Sequence, residues 1–359
     1  MATLTQQPIE ESAQKTARAY WRESVAEYEA SSWPRAILDL ITSAFAYIAL
    51  MVTMYLLVDD YWWIGLALAI PTSGFLLRTF IVFHDCGHGS FVPSNRGNLW
   101  IGRFTALLVF QPFANWRHNH AVHHGTSGDL DRRGQGDVET LTVAEYQARD
   151  WKGRFFYRGF RSPFVLFTIG PLWSLMIGPR FWNKNMRPRQ IHSVWLTNVA
   201  LFILVGATIA VVGPVDWLLV QMPCAMLAGV GGVFLFYVQH QYEDAYWETG
   251  EQWDYAEAAL KGSSYLKLPP LFRFFSGNIG LHHVHHLSAK VPNYNLQRAH
   301  EESPIFADVP ILTFGAGCRS LRLKLIDPEG GRLLTWREAR ELSGDQPRLA
   351  KPYPVRASR

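Results

Sequence analysis

The 359-residue chain has only three cysteines, Cys86, Cys224 and Cys318, which are far apart and odd in number. This pattern excludes a disulfide framework and predicts reduced thiols on the cytoplasmic side. Charge is also scarce, since charged residues make up 18% of the chain, against about 25% in soluble domains. The polar N-terminal stretch MATLTQQPIEESAQKTARAYW lacks the apolar run of a secretory signal peptide. With 48% hydrophobic residues, 14 Trp and 22 Phe, the composition indicates a membrane protein.

Four apolar segments are long enough to cross about 30 Å of hydrocarbon, which takes roughly 20 helical residues. They are Ala36–Val58, Tyr61–Phe83, Val194–Val212 and Trp217–Tyr237. The connection within each pair is very short and has no Lys or Arg, whereas His84–Ser193 contains fourteen of them. Because positive residues stay in the cytoplasm, we expect that middle segment and both termini to face it. The sequence predicts an all-α integral membrane protein, with two helical hairpins below a cytosolic helical cap.

Some features interrupt this apolar pattern. Asp39 and Arg78 lie within the first two segments, where charges near a span end can reach the interface. Two further apolar stretches, Leu99–Ala114 and Pro163–Gly178, are short or broken, so we expect them to be interfacial or re-entrant. The run Ala228–Gly232, AGVGG, lies inside the fourth segment and is typical of helix packing rather than of a nucleotide-binding loop.

The two ends of the chain are predicted to lie in the cytosol, on either side of a membrane domain at residues 36–300. Residues 1–35 include a polar amphipathic helix, Ile9–Ala30, outside the bilayer. The tail, residues 301–359, is charged from Arg319 onward and contains Pro and Gly. We therefore expect a cytosolic appendage with a loose end.

Most of the 13 histidines fall into three clusters, at residues 84–88, 118–124 and 282–286, and one more, His240, follows the fourth segment. The first cluster contains an i, i+4 pair, and the other two each contain an i, i+3, i+4 triplet. Residues with these spacings share one face of a helix. The resulting set is His84, His88, His120, His123, His124, His240, His282, His285 and His286. The same helical geometry places His118 and His283 off the ligand faces, and His283 is expected to be a bystander or a hydrogen-bonding neighbour of a ligand. The isolated His192 and His300 are expected to be ordinary surface residues.

Histidines in this pattern indicate metal binding, because neutral imidazole is the commonest protein ligand for zinc, copper, nickel and iron. Nine imidazoles exceed the needs of one ion, since a zinc site closes with four, so we expect a two-metal site. The chain has no Glu-x-x-His, which excludes the soluble carboxylate di-iron bundles. Nearby carboxylates are expected to orient the ligands and offset the metal charge. The candidates are Asp85, Asp129, Asp131, Asp137, Glu243 and Asp244.

The segments HDCGH, WRHNHAVHHGTSGDLDRRGQGD, FYVQHQYED and GNIGLHHVHHLSAKVPNY resemble, in order and spacing, the histidine boxes of the membrane fatty acid desaturase family. Their flanking residues are similar to the bacterial Δ12 (omega-6) acyl-lipid branch. The resemblance implies that the nine histidines hold two iron ions. It also implies O2-dependent removal of two hydrogens from adjacent methylenes of a membrane-embedded acyl chain, which leaves a cis double bond. The implied location is a bacterial inner membrane, with the site on the cytoplasmic side and no nucleic-acid partner.

The chain departs from some desaturases at one position. Those proteins have an Asn one turn before the histidine that follows the last span, where it holds a metal-bound water. This chain has Phe236 there, so Gln239 or Asn278 becomes the candidate substitute.

Electrons are expected to come from a separate carrier. The chain has no His-Pro-Gly-Gly haem signature, and no dinucleotide fingerprint lies between a strand and a helix. The resemblance implies a ferredoxin or a cytochrome as donor, and the basic residues Arg132, Arg133 and Arg149–Arg161 are the predicted docking face.

Two other functions remain open at the level of sequence. A histidine-box hydroxylase, ketolase or epoxygenase would differ only in how the substrate lies relative to the oxidant. A non-catalytic membrane metal sensor or lipid-binding receptor would differ in metal content, because it could bind zinc. The position of the double bond, the acyl chain length, the acyl carrier and the oligomeric state also stay open.

Overall fold

The computed structural model describes residues 21–134 and 136–345, which are mainly helical. In chain order the α-helices are α1 Trp33–Leu40, α2 Ala46–His88, α3 Asn95–Leu108, α4 Phe113–Thr126, α5 Val143–Ala148, α6 Trp151–Phe160, α7 Pro163–Phe167, α8 Ile169–Pro171, α9 Pro188–Val212, α10 Pro214–His240, α11 Tyr255–Lys261, α12 Pro270–Phe275, α13 His282–Leu287, α14 Leu296–Glu302, α15 Phe314–Ser320 and α16 Trp336–Asp345. Shorter 3-10 or π-helical turns occupy Ala26–Glu29, Ile41–Phe45, Leu172–Ile177, Gly178–Arg180, Asn293–Asn295 and Pro304–Phe306. The strands are β1 Leu141–Thr142, β2 Tyr265–Lys267, β3 Ile311–Thr313, β4 Leu323–Asp327 and β5 Arg332–Thr335.

Within the described residues, three helical segments are long and apolar enough to cross a membrane, namely Trp33–His88, Pro188–Val212 and Pro214–His240. The first has 56 residues and would measure about 84 Å if it were straight. It is bent back on itself, because Tyr61 has non-helical backbone angles of φ −135° and ψ 44°. Thr72 Oγ1 lies 3.5 Å from Met54 Sδ, whereas 18 residues of straight helix would separate them by about 27 Å. The two arms of α2 therefore pack against each other.

The other two long helices, α9 and α10, meet at Gly213. This residue has a φ of 85°, which a residue with a side chain rarely adopts, and Pro214 follows as the first residue of α10. Helix α10 packs against α2, where Val220 and Cys224 share a buried cluster with Met54. The three cysteines are all free thiols, as the sequence predicted.

The glycine run in α10 makes a close helix contact. A Cβ atom at Gly229 would lie 2.7 Å from Pro171 Cβ, so only glycine allows the approach. The run is therefore a packing surface, as predicted. The two broken apolar stretches are not continuous helices. Leu99–Ala114 is divided between α3 and α4 by Phe110, whose φ is 57°, and Pro163–Gly178 is divided among α7, α8 and a π-helical turn.

The described residues are mainly helical, as predicted, but the prediction of helices alone is wrong, because five short strands form two small sheets. One sheet has the order β1-β4-β5, with β1 parallel to β4 and β4 antiparallel to β5. In the other, β2 and β3 are parallel. Strands β4 and β5 belong to the segment predicted to be an appendage, yet their residues Leu325, Ile326, Leu333 and Leu334 are buried. The tail up to residue 345 thus packs against the rest of the fold, and residues 346–359 lie outside the described residues.

Two buried cations attach β4 to the rest of the molecule. Arg161 is fully buried, and its guanidinium donates hydrogen bonds to Tyr237 Oη at 2.9 Å and Gln241 Oε1 at 2.8 Å. Lys324 Nζ donates to the carbonyl oxygen of Arg161 at 2.6 Å. Burial lowers the pKa of Lys324 to about 8. These bonds hold the C-terminal sheet against the end of α10.

The predicted amphipathic helix Ile9–Ala30 is only partly described, since residues 9–20 lie outside the described residues. The remainder is helical over residues 21–25 and ends in a 3-10 turn. Its Val25 and Tyr28 are buried in the core cluster that also contains Val284 and Leu287 of α13. This end of the chain therefore packs against the third histidine cluster.

Candidate metal centre

The first group of histidines, which we call the five-histidine group, draws on three helices. Its members are His84, His88, His120, His124 and His285. The end of α2 supplies two, α4 supplies two and α13 supplies one. One ring nitrogen of each lies within 4.8 Å of those of the others. The Nε2 atom of His120 is 2.9 Å from His84 Nε2 and 3.2 Å from His124 Nε2.

The second group, the four-histidine group, lies beside the first and is fully buried. It consists of His123, His240, His282 and His286. Helices α4 and α13 contribute again, and α10 contributes its last residue. The Nε2 atoms of His240 and His282 are 2.9 Å apart. The structure therefore brings together all nine histidines selected from the sequence, in two sets.

Both groups have the geometry of metal sites. Imidazole nitrogens bind first-row metals at about 2.1 Å, so two ligands at right angles on one ion lie about 3 Å apart. The nitrogen–nitrogen separations of 2.9 to 3.2 Å match this value. Among the described residues, the Nε2 atoms of four of these histidines are buried without a hydrogen-bond partner, namely those of His88, His123, His285 and His286. Buried polar atoms need partners, and a metal ion would supply one for these lone pairs. The histidines of each group therefore fit one bound ion.

Helix periodicity explains how the two short helices α4 and α13 each supply three ligands. On α4, His120, His123 and His124 have the i, i+3, i+4 spacing that places them on one side. The neighbours His123 and His124 nevertheless belong to different groups, because the two groups lie side by side along that face. Helix α13 divides its ligands in the same way. Each of these two helices therefore serves both groups.

Burial keeps four of these imidazoles neutral. It lowers the pKa of His120, His124, His285 and His286 well below the ordinary value, and the neighbouring imidazoles lower it further. A neutral imidazole has a free lone pair, which is the form that binds a metal. The sites are therefore ready to bind cations at neutral pH without first losing protons.

The remaining histidines belong to neither group among the described residues. His283 is buried, but its Nε2 lies 3.1 Å from His300 Nδ1 and away from the groups. His300 is therefore not the ordinary surface residue that the sequence predicted. His118 is half-buried on another side of α4, and His192 is exposed.

Two of the predicted carboxylates contact histidines. Asp85 Oδ1 lies 3.0 Å from His84 Nδ1. Asp137 Oδ1 makes a short contact with His123 Nδ1. A carboxylate accepts the N–H of the ring, so the opposite nitrogen carries the lone pair and faces the group. Each group thus has one ligand whose tautomer and orientation are set by an aspartate.

The other acidic candidates do not reach the groups. Asp129 is buried, but it contacts the Arg132 side chain, and Asp131 Oδ2 accepts the N–H of Gly250 at 2.9 Å. Glu243 and Asp244 are exposed, because the chain leaves α10 at His240 and runs to the surface. The prediction that these four orient ligands is not supported by the structure.

The two amides proposed as substitutes are also occupied elsewhere. Gln239 Nε2 donates to the carbonyl oxygen of Ile279 at 2.7 Å, and Asn278 Nδ2 donates to that of Asn293 at 3.2 Å. Phe236 itself faces the four-histidine group, with its ring centroid 5.1 Å from that of His123. This side of the group is therefore an apolar wall.

The predicted docking face needs correction. Arg161 is fully buried, and Arg133 is buried in an ion pair with Glu145. Arg132 pairs with Asp129, and Arg149 with Glu139. Arg132 is exposed but paired, and the other exposed basic residues of this region are Lys152, Arg154 and Arg158 of α6. Sequence position alone did not separate the buried arginines from the exposed ones.

Sequence reasoning missed Asn293, which contacts Asp85 directly. Its backbone N–H and its side-chain amide both donate to Asp85 Oδ2, at 2.7 and 3.0 Å. The only signal was its place in the segment VPNYN, shortly after the third histidine cluster.

Comparison with known proteins agrees with this geometry. A family model described as fatty acid desaturase matches residues 18–312. A fatty acid desaturase of Bacillus subtilis (strain 168) is 40% identical over 318 residues, covering 89% of this chain and 90% of that protein. An sn-1 oleoyl-lipid 12-desaturase of Synechocystis sp. is 28% identical over 279 residues, covering 75% and 74%.

A third relative carries the name of an electron donor. An sn-1 acyl-lipid omega-3 desaturase (ferredoxin) of Synechocystis sp. is 29% identical over 234 residues, covering 62% of each chain. The family match over most of the chain confirms the resemblance seen in the histidine boxes. This chain belongs to the fatty acid desaturase family and is an oxidoreductase.

Proposed function

We propose that this desaturase uses O2 and two bound ferrous ions to introduce a cis double bond into a membrane-embedded acyl chain. The observation that carries the proposal is the division of nine clustered imidazoles, seven of them buried, into groups of five and four. Each group alone is large enough for one ion, and the shared helices place the two groups side by side. Bound iron supplies O2 activation and oxidation of an unactivated C–H bond.

The residues of the chain create the conditions for that chemistry. Seven of the nine imidazoles are buried, which limits the access of water and therefore the side reactions of a strong oxidant. Asp85 and Asp137 hold the rings of His84 and His123 in one tautomer. Phe236 adds an apolar surface next to the four-histidine group, where a polar side chain would bring in water.

We infer that the substrate is an acyl-lipid and that the new bond is at carbon 12. This rests on relatives named as sn-1 oleoyl-lipid 12-desaturases, from Synechocystis sp. at 28% identity and Anabaena variabilis at 25%. The flanking residues of the histidine boxes support the same assignment.

We further propose that residues 36–300 contain four membrane crossings, arranged as two hairpins. The reversal at Tyr61 and the turn at Gly213 supply the two hairpin tips, and both tips lack Lys and Arg. His84 and His240 lie at the opposite ends of these helices, where the cap sits. By the distribution of positive residues, the cap, both termini and the metal ligands face the cytoplasm of a bacterial inner membrane.

The electron donor is proposed to be a ferredoxin or a cytochrome. The ferredoxin named for one relative supports the first. Docking is assigned to Lys152, Arg154 and Arg158 of α6, because these basic side chains are exposed while Arg133 and Arg161 are buried. An acidic carrier would be attracted to this face by its charge.

The decisive experiment is expression in a host that makes monounsaturated but no polyunsaturated fatty acids. Its lipids are analysed by gas chromatography–mass spectrometry, and iron is measured in the purified protein. We expect a new diene with its second double bond at carbon 12 and about two irons per chain. The matched control is His120→Ala, which removes a ligand and should give no diene.

Other products would contradict parts of the proposal. A diene with the bond elsewhere would overturn the position but not the reaction. A hydroxy, keto or epoxy product would overturn the reaction. Zinc in place of iron, together with unchanged lipids when a reduced donor is supplied, would support a metal sensor.

A further inference from the structure

A chain of buried polar side chains extends from the five-histidine group into the apolar bundle. Asp39 in α1, Asp85 in α2 and Asn293 in the turn after α13 are 4%, 2% and 1% exposed. Arg78, on the second arm of α2, is mostly buried beside them. Burying charges in such a place is unfavourable unless each is paired and hydrogen-bonded.

Asp85 is held on both sides. Its Oδ1 accepts the N–H of His84 Nδ1 at 3.0 Å. Its Oδ2 accepts two N–H groups of Asn293, from the backbone at 2.7 Å and from Nδ2 at 3.0 Å. The carboxylate plane is therefore fixed, and with it the ring of His84, whose Nε2 faces the five-histidine group.

Asn293 is held in turn by Asp39. Its Nδ2 also donates to Asp39 Oδ2 at 2.8 Å, so the two hydrogens of one amide serve two carboxylates. Asp39 Oδ1 pairs with Arg78 Nη2 at 2.5 Å. Arg78 in addition donates to the carbonyl oxygen of Phe274. The positive guanidinium offsets the charge of Asp39 and anchors the far end of the chain of contacts.

Among the described residues, the four-histidine group has no comparable chain of buried polar side chains, although His240 Nδ1 lies 3.1 Å from the carbonyl oxygen of Gly262. Asp137 contacts His123 through one carboxylate oxygen, and its other oxygen, Oδ2, is buried without a hydrogen-bond partner. The network therefore acts on one group only. It also ties the first histidine cluster to the segment that follows the third.

We propose that Asn293, oriented by Asp39 and Arg78, is a positioning residue for the five-histidine group. It fixes Asp85, which fixes the metal-facing nitrogen of His84. The inference rests on the proposed function, because it takes an iron ion to be bound by that group. Among the described residues, the N–H groups of Asn293 donate to Asp85 and Asp39 and not to a ligand nitrogen, so its effect on the metal passes through Asp85.

The test compares Asn293→Ala and Asn293→Asp with Asn295→Ala. Asn295 lies in the same turn and is also buried, and its Nδ2 donates to the carbonyl oxygens of Tyr28 and Ala30. It makes no contact with Asp85. The full-length protein in detergent is loaded with Fe2+ without oxygen, and iron release to a chelator is followed together with the thermal unfolding midpoint.

We expect wild type to release two ions slowly, and Asn293→Ala to release one of them about ten-fold faster, since partners of metal ligands typically contribute 10- to 100-fold to affinity. Asn293→Asp should be worse, because it places a third carboxylate beside Asp39 and Asp85. Asn295→Ala should release iron like wild type, even with a lowered unfolding midpoint.

Two results would overturn the inference. One is equal iron release from Asn293→Ala and Asn295→Ala, which would show a structural role only. The other is better iron retention in Asn293→Asp than in Asn293→Ala, which would show that shape matters and the hydrogen bonds do not. Wild type that binds fewer than two irons would instead overturn the proposed function itself.

Discussion

His282 and His283 are adjacent, of one residue type and equally buried, yet the structure gives them different surroundings. His282 Nε2 lies 2.9 Å from His240 Nε2 in the four-histidine group. His283 points the other way, towards His300 and the ring of Phe306, whose centroid is 5.2 Å from its own. Alanine at each position therefore removes the same atoms from two different environments. We expect His283→Ala to keep both irons and His282→Ala to lose one.

The two changes should have similar effects on packing. Replacing a buried ring by a methyl group costs about 2 to 4 kcal/mol through the cavity left behind. His283 also loses its bond with His300, which adds about 1 kcal/mol. For a chain of this size the unfolding midpoint moves by about 2 °C per kcal/mol, so His283→Ala should lower it by roughly 6 to 10 °C. His282→Ala loses the same packing and also the stabilisation that a bound ion provides.

The assay is iron per chain after anaerobic loading and gel filtration, with desaturation measured in the same preparations. Expected values are about two irons for His283→Ala and about one for His282→Ala, with measurable product only from the former. His300→Ala serves as a control, because it removes the partner of His283 and should keep both irons. Equal iron loss at positions 282 and 283 would refute the division of α13 into a ligand face and a packing face.

Three further expectations concern charge and protonation. Arg161→Ala should destabilise the chain by about 3 to 5 kcal/mol, because it leaves buried acceptors unpaired, and a thermal midpoint equal to wild type would contradict this. His285 and His286 stay neutral in the fold because burial lowers their pKa, whereas the unfolded chain binds protons near pH 6.5. The metal-free chain should therefore lose stability as pH falls from 7.5 to 5.5, by up to about 1.4 kcal/mol per histidine and pH unit, and a constant midpoint would disprove it. Reversing the charges of Lys152, Arg154 and Arg158 should slow reduction by an acidic carrier at low salt and leave iron content unchanged, and an unaltered reduction rate would exclude this docking face.

The ligand faces could be predicted from sequence because they depend on local geometry alone. A helix repeats every 3.6 residues, so the spacing of His120, His123 and His124 defines a common side without knowledge of the fold. The structure places all three in the two groups and leaves His118 out. The allocation of ligands to groups could not be predicted, because it depends on where α10 brings His240.

The packing of the C-terminal tail against the rest of the chain could not be predicted, for a different reason. Its composition is charged, but Leu323–Asp327 pairs with Leu141–Thr142, about half the chain away. Lys324 can be buried because the backbone carbonyls of Arg161 and Leu321 accept hydrogen bonds from its ammonium group. A backbone carbonyl is present at every residue, so the sequence pattern does not show which ones will be acceptors. Composition reports the mean polarity of a segment and says nothing of distant backbone partners.

The charges at Asp39 and Arg78 were visible in the sequence, but their role was not. Both were expected to reach the membrane interface separately, because each lies near the end of an apolar segment. In the structure they pair with each other, since the reversal at Tyr61 brings the two segments together. Opposite charges on the two helices of a predicted membrane hairpin therefore predict an ion pair between those helices.

The division of ligands within α4 and α13 has a mechanical consequence. Helix α4 gives two ligands to the first group and one to the second, and α13 gives one and two. A rotation of either helix about its axis would move ligands of both groups together. An ion bound in one group would fix the rotation of both helices about their axes. The ligands of the other group would then already be ordered, so binding of the second ion would cost less conformational entropy. Metal loading of the wild-type chain is thus expected to be positively cooperative, so that wild-type chains with a single ion are rare.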